Sequence, residues 1–185
     1  MLINNAGVYM TPDPITENGL DTRFVVNTLA PYLLTKTLSP LMDATGRVVN
    51  VSSAAQASVD LDALAGGRRL DDMEAYAQSK LAIAMWSWEL ANTAPDGPIM
   101  IAVNPGSLLA SKMVKEGFGV AGKDLSIGAD VLARAATADE FGNANGKYFD
   151  NDKGQFASLH ADAGNTRKRR QLIEVIERLT SKPQS

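Results

Sequence analysis

No cysteine occurs anywhere in the chain, which excludes disulfides and thiolate metal sites and fits a reducing compartment. Histidine is almost as scarce: His160 stands alone, leaving nothing from which to build a histidine triad or a histidine-rich metal centre. No metal site is expected. No run approaches about 18 uncharged apolar residues, the length that a membrane-spanning helix needs. The N-terminus lacks the basic and apolar regions of a secretory leader. A formal net charge of −3 gives no electrostatic reason to expect nucleic acid or an anionic membrane as a partner. Internal repeats and low-complexity blocks are missing as well.

What is present has globular proportions. Of 185 residues, 45% are hydrophobic and 21% charged, values that support a packed core. A chain of this length buries roughly 70% of the surface it exposes when unfolded. The expectation is a single domain over 1–185, in the cytoplasm.

Apolar patterning divides the chain into alternating elements. "MLINNAG" is a short apolar strand ending in a turn, and "GRVVNVSS" (46–53) is a β-branched run bounded by glycine and serines. "IMIAVNPG" (99–106) and "GKYFD" (146–150) supply two more strands. Between them, helical spacing runs from Leu20 to about Met42, with Pro31 expected to bend or break it. Further helices are expected over 73–93, near 126–138 and over 163–181, with loop over 54–72. Strand–helix alternation predicts an α/β fold in which a four-stranded parallel sheet carries helices on both faces. Ligands of such sheets bind beyond the carboxyl ends of the strands, and three of those ends here are polar or glycine-rich.

"EAYAQSKLA" (74–82) places Tyr76 and Lys80 four residues apart, on one helix face. A nearby cation favours phenolate and lowers a tyrosine's pKa, and a tyrosine tuned in this way serves as a general acid or base. Taken alone, the pair reads more simply as a packed tyrosine and a solvated lysine. Context changes the reading, because Ser53 ends the preceding strand and Asn27 lies on the earlier helix.

Five signals stand in order: N-N-A-G at 4–7, Asn27, Ser53 after "VVNVS", Y-x-x-x-K at 76–80 and N-P-G at 104–106. Together they resemble the short-chain dehydrogenase/reductase family, and the loop after Ser53 with the "GKYFD" tail looks most like its retinol-dehydrogenase-like branch. The resemblance implies a Rossmann-like doubly wound sheet and hydride transfer between NAD or NADP and an alcohol or carbonyl substrate. It implies that Tyr76 moves the proton and that Lys80 lowers the Tyr76 pKa and holds the nicotinamide ribose. Ser53, with Ser52 as its alternative, orients the substrate oxygen, and Asn27 holds a water that relays protons from Lys80. Asn5, Ala6 and Gly7 would line the adenosine side, while Pro105, Gly106 and Leu108 would meet the carboxamide.

The family's first strand, Gly-rich turn and helix cradle the cofactor pyrophosphate, and no such Gly-rich motif opens this chain. The expectation is therefore an incomplete Rossmann-like domain, its C-terminal catalytic part. It would be a fragment, or a chain begun at an internal methionine. On its own it is expected to self-associate through an apolar edge and to show no dehydrogenase activity. The alternative is a non-catalytic remnant that has lost cofactor binding and serves as an interaction module. A partly apolar substrate is expected from Leu108, Leu109, Met113, Val114 and Phe118.

Among other features, "TRKRR" (166–170) reads as solvated first turns of the last helix, and one of Trp86 and Trp88 reads as core. Asp60, Asp62, Asp71 and Asp72 read as surface. His160 reads as structural or rim.

Overall fold

The β-branched run Arg47–Val51 forms strand β2 at the heart of a five-stranded sheet. β1 (Leu2–Asn4) pairs with it on one side and β3 (Ile99–Asn104) on the other, both parallel. β4 (Tyr148–Asp150) continues the parallel order beside β3. The computed structural model describes residues 1–110, 115, 119 and 121–181. The expected contributions of Met113, Val114 and Phe118 to a substrate pocket lie outside the described residues.

The four-stranded expectation is corrected by β5 (Gln155–Ala157), which pairs antiparallel with β4 through Asp150 and Gln155. A tight turn makes the reversal possible, with Gly154 in the left-handed region at φ 65°, where a glycine carries no Cβ penalty. Three residues are too few to show an alternating pattern, so β5 was hidden in the sequence.

Helices cover both faces. On one face Val49, Ile101, Val103 and Phe149 pack against Val131 and Ala135 of α5 (Leu125–Thr137). On the other, Val48, Met100 and Ala102 meet α4 (Asp72–Thr93) through Ala84 and Ala91. A second apolar layer joins α4 to α2 (Ala30–Leu38) and to α6 (Thr166–Thr180), around the fully buried Trp86. This is a Rossmann-like α/β architecture. No helix among the described residues is long and apolar enough to cross a membrane.

Pro31 does not break the helix that precedes β2. The chain passes from α1 (Thr22–Phe24) through a π-helical turn, Val25–Leu29, into α2. The Ala30 N–H reaches back to the Val25 carbonyl, so the ladder is already re-phased where Pro31 has no donor to offer. Two of the aspartates of 60–72 cap helices. Asp60 caps α3 (Leu61–Leu64), a helix inside the expected loop, and Asp71 caps α4 by accepting from the Glu74 N–H. Asp72 pairs with the buried Arg23.

The terminal helix also departs from its sequence reading. Arg169 is buried, pairs with the equally buried Glu89 at 2.8 Å, and stacks its guanidinium 4.6 Å from the centre of the Trp88 ring. Periodicity could not show this, because the partner lies 80 residues away.

Candidate active site

Because β1 to β3 run parallel, the segments that follow them, Asn5–Gly7, Ser52–Ser53 and Pro105–Leu108, emerge at the same end of the sheet. The first turns of α4 bring Tyr76 and Lys80 to that end. The π-helical turn contributes Asn27, which is fully buried. π-helical turns of this kind are frequent at functional sites.

Asn27 acts as a clamp on the first loop. Its Oδ1 accepts from the Val8 N–H at 2.8 Å and its Nδ2 donates to the Val8 carbonyl at 2.9 Å. The same Nδ2 reaches the Ser79 hydroxyl at 3.0 Å. Gly7 lies against this cluster so closely that a Cβ there would come within 3.3 Å of Lys80 Nζ and 3.5 Å of Asn27 Oδ1. Only a glycine leaves the backbone room to pass over the lysine.

Lys80 is buried rather than solvated, and its Nζ donates to the Val51 carbonyl at 2.8 Å. Burial penalises the cation and pushes its pKa down from 10.5 to about 8. Nζ stands 5.8 Å from the centre of the Tyr76 ring. The largest influence on the Tyr76 phenol is burial. Burial raises the phenol's pKa, the Ser53 hydroxyl partly offsets that by hydrogen bonding, and the nearby Tyr9 adds to the rise. The lysine gives its hydrogen bond to main-chain oxygen while its charge lies over the Tyr76 ring.

The two serines have separate tasks. Ser52 is buried and donates to the Lys80 carbonyl at 2.7 Å, so it braces β2 against α4. Ser53 lies one residue further out, with its hydroxyl beside the Tyr76 hydroxyl. It also accepts from the Ala55 N–H at 3.1 Å. Tyr9 packs edge-on against Tyr76, ring centres 5.3 Å apart. Asn27, Gly7 and Lys80 thus form one cluster and Ser53, Tyr76 and Tyr9 another, with Lys80 over the Tyr76 ring joining them.

Pro105 and Leu108 bond to other segments. The Pro105 carbonyl accepts from Asn151 Nδ2 at 2.9 Å, and the Leu108 carbonyl accepts from the Lys123 N–H at 2.6 Å. Leu108 sits in the left-handed region at φ 56°, uncommon for a residue with a Cβ and a mark of functional loops. Asn5 and Ala6 are exposed at the rim.

Three contributors were not visible in the sequence: Tyr9, Gln56 and Tyr148. Gln56 Nε2 and the Tyr148 hydroxyl each donate to the Ser53 carbonyl at 3.0 Å. His160 gives its N–H to Gln56 Oε1 at 3.0 Å and caps the short turn that follows it, a structural role. The "GKYFD" run identifies a strand, but no sequence signal says that its tyrosine reaches across to Ser53.

Residues 1–119 match the family model for short chain dehydrogenases. Over 183 residues the chain is 34% identical to mouse (Mus musculus) "Retinol dehydrogenase 12", a match covering 91% of this chain and 58% of that protein. Human (Homo sapiens) "Retinol dehydrogenase 13" is 32% identical over 170 residues, covering 81% and 51% respectively. The chain therefore spans little more than half the length of these relatives. Among solved structures, an uncharacterized protein from Mycobacterium Paratuberculosis superposes with a TM-score of 0.77 at 27% identity, over 97% of this chain and 66% of that one. The landomycin C-6 ketoreductase LanV, solved with bound NADP and rabelomycin, gives a TM-score of 0.55 at 25% identity, over 81% and 58%. On the family match over most of the chain, the ordered motifs and the fold, this protein belongs to the short-chain dehydrogenase family.

Proposed function

We propose that residues 1–185 form, as a single domain, the catalytic part of a cytoplasmic NAD(P)-dependent oxidoreductase that interconverts a small alcohol and its carbonyl compound. The observation that carries this reading is the gathering of Tyr76, with a buried Lys80 Nζ 5.8 Å from its ring centre, and Ser53, whose hydroxyl supports the phenol, at the end of β2. A nicotinamide cofactor would supply the hydride donor or acceptor. Gly7 leaves a cradle in front of Lys80 and Asn27 that a side chain would fill, which suits a ligand lying along the ends of β1 and β2. Lys80 would hold the nicotinamide ribose, Asn5, Ala6 and Gly7 would line the adenosine side, and Pro105, Gly106 and Leu108 would meet the carboxamide.

The chain's own groups divide the proton chemistry. Ser53 donates a hydrogen bond to the substrate oxygen and fixes its position. Tyr76 gives or takes the proton at the same oxygen. Lys80, with a pKa of about 8, is close enough to neutrality to exchange protons under working conditions, and Asn27 would hold the relay water. The substrate is expected to be partly apolar, with Leu108 and Leu109 at the mouth of the site.

Hydride-transfer assays on the protein with whatever upstream sequence its gene encodes test the reading. Tyr76→Phe should lower turnover by about 10³-fold or more and leave NADH and NADPH affinity, followed by fluorescence titration, within about twofold. Equal loss of both would make Tyr76 structural. A second reading, an interaction module without cofactor binding, is favoured by exposed Ile3, Leu33, Leu34 and Leu41 beside β1. It predicts no nicotinamide binding at all, so the same titration separates the two.

A further inference from the structure

We propose that Tyr148 and Gln56 are positioning residues for the reaction, acting together as a two-donor clamp on the main-chain carbonyl of Ser53; this rests on the oxidoreductase reading above. Ser53 lies beyond the last ladder residue of β2, Val51, where no neighbouring strand fixes its peptide. A loop carbonyl in that position would ordinarily turn toward water. Here it is held from two directions, by the Tyr148 hydroxyl and by Gln56 Nε2, each at 3.0 Å. A carbonyl oxygen has two lone pairs, and both are taken.

The consequence falls on the other side of the same residue. The Ser53 carbonyl is pinned toward β4 while its hydroxyl stays close enough to Tyr76 to support the phenol by hydrogen bonding. The Ala55 N–H then takes one lone pair of the hydroxyl at 3.1 Å. The single hydroxyl proton then stays on the Tyr76 side, available to the phenol or, when substrate is bound, to a substrate oxygen. Without the clamp the peptide can rotate, and Ser53 spends part of its time facing elsewhere. Neither donor is free to drift. The Tyr148 ring is buried with Ala84 and Ala102, and Gln56 is itself fixed by the His160 N–H at 3.0 Å. The clamp thus ties the catalytic serine to β4 and to the segment after β5.

Tyr148→Phe removes one donor and keeps the ring. In the full-length protein, kcat should fall about 10- to 100-fold while KM changes by less than about threefold, as expected when a reacting group is misplaced and binding is kept. The titration of Tyr76, followed by NMR of ¹³Cζ-labelled tyrosine, should move to higher pH as the Ser53 hydroxyl stops supporting the phenolate. Gln56→Met should produce the same two changes to a smaller extent, and it decides the matter if Tyr148→Phe does not fold. Combining Tyr148→Phe with Ser53→Ala should cost no more than Ser53→Ala alone. Tyr32→Phe, which removes another buried hydroxyl bonded to Glu177, should leave the Tyr76 titration in place. A folded Tyr148→Phe or Gln56→Met with unchanged kcat and unchanged Tyr76 titration would overturn the clamp, as would full additivity with Ser53→Ala. If the unaltered protein transfers no hydride, the oxidoreductase reading fails, and the Tyr76 resonance still tests the clamp.

Discussion

Two flanks of the molecule solve the same packing problem in opposite ways. Around α4 and α6 the interior is crowded with polar groups that have found partners: Lys80 on the Val51 carbonyl, Ser52 on the Lys80 carbonyl, Glu89 on Arg169. Beside β1 the chemistry is apolar and faces outward. Ile3 is 38% exposed, Leu33 and Leu34 are 42% and 49%, Leu41 is 82%, and Leu125 and Ile127 on α5 are 52% and 45%. The comparison shows that the α4 flank is held by satisfied polar contacts, which are costly to leave unmade. The β1 flank instead retains an apolar surface of the kind that takes part in association.

The largest effect that would break this contrast is expected at the buried ion pair. Arg169→Met leaves the Glu89 carboxylate in the interior with only the exposed Arg170 at 3.3 Å, and should destabilise the protein by about 3 kcal/mol in urea unfolding. A change below about 1 kcal/mol would mean that water reaches Glu89 and that this flank is less dry than its burial implies.

Next comes the pH dependence of Lys80, whose pKa is about 8 when folded against an ordinary 10.5. Below pH 8 both states hold the proton, and the cost of burying the cation is present in full. From about pH 8 to 10.5 the unfolded state binds more protons than the folded one, so the contribution of Lys80 to stability rises with pH. Relative to Lys80→Met, the wild type should gain up to about 3 kcal/mol across that window. A difference that stays flat with pH would show that the lysine is hydrated.

Smaller, but sharper as a contrast, are the adjacent serines. Ser52→Ala should cost about 1 kcal/mol of stability through the lost bond to the Lys80 carbonyl and touch turnover far less than Ser53→Ala does. The reverse ranking in kcat would exchange their roles.

The least change in stability is expected on the β1 flank. Leu33→Lys with Leu34→Glu should alter unfolding free energy by no more than about 0.5 kcal/mol, since both side chains are half exposed. The 185-residue chain should self-associate in size-exclusion chromatography, and this pair should shift it toward the monomer. Association unchanged by the pair would place the sticky surface elsewhere.

Much of this was legible before any coordinates. Strands β1 to β4 follow from short apolar runs bounded by turn residues, and α4 was expected over 73–93 although it is buried on almost every side. The order Asn27, Ser53, Tyr76, Lys80 pointed to groups that the structure gathers at one end of a parallel sheet. Other features left no local trace. β5 is three residues long, Arg169 lies inside a run of charges that looks solvated, and the clamp on Ser53 joins positions 53, 56 and 148.

The sequence by itself therefore determined which residues could react and which elements carry them. It did not determine the electrostatics. Spacing places Tyr76 and Lys80 on one helix face and suggests that the cation tunes the phenol. Only the packed structure shows the lysine turned to the Val51 carbonyl and the phenol governed by burial and by Ser53. The choice between Ser52 and Ser53 was also tertiary. In an extended chain consecutive residues point opposite ways, and which one faces α4's backbone and which faces Tyr76 depends on how β2 docks against that helix.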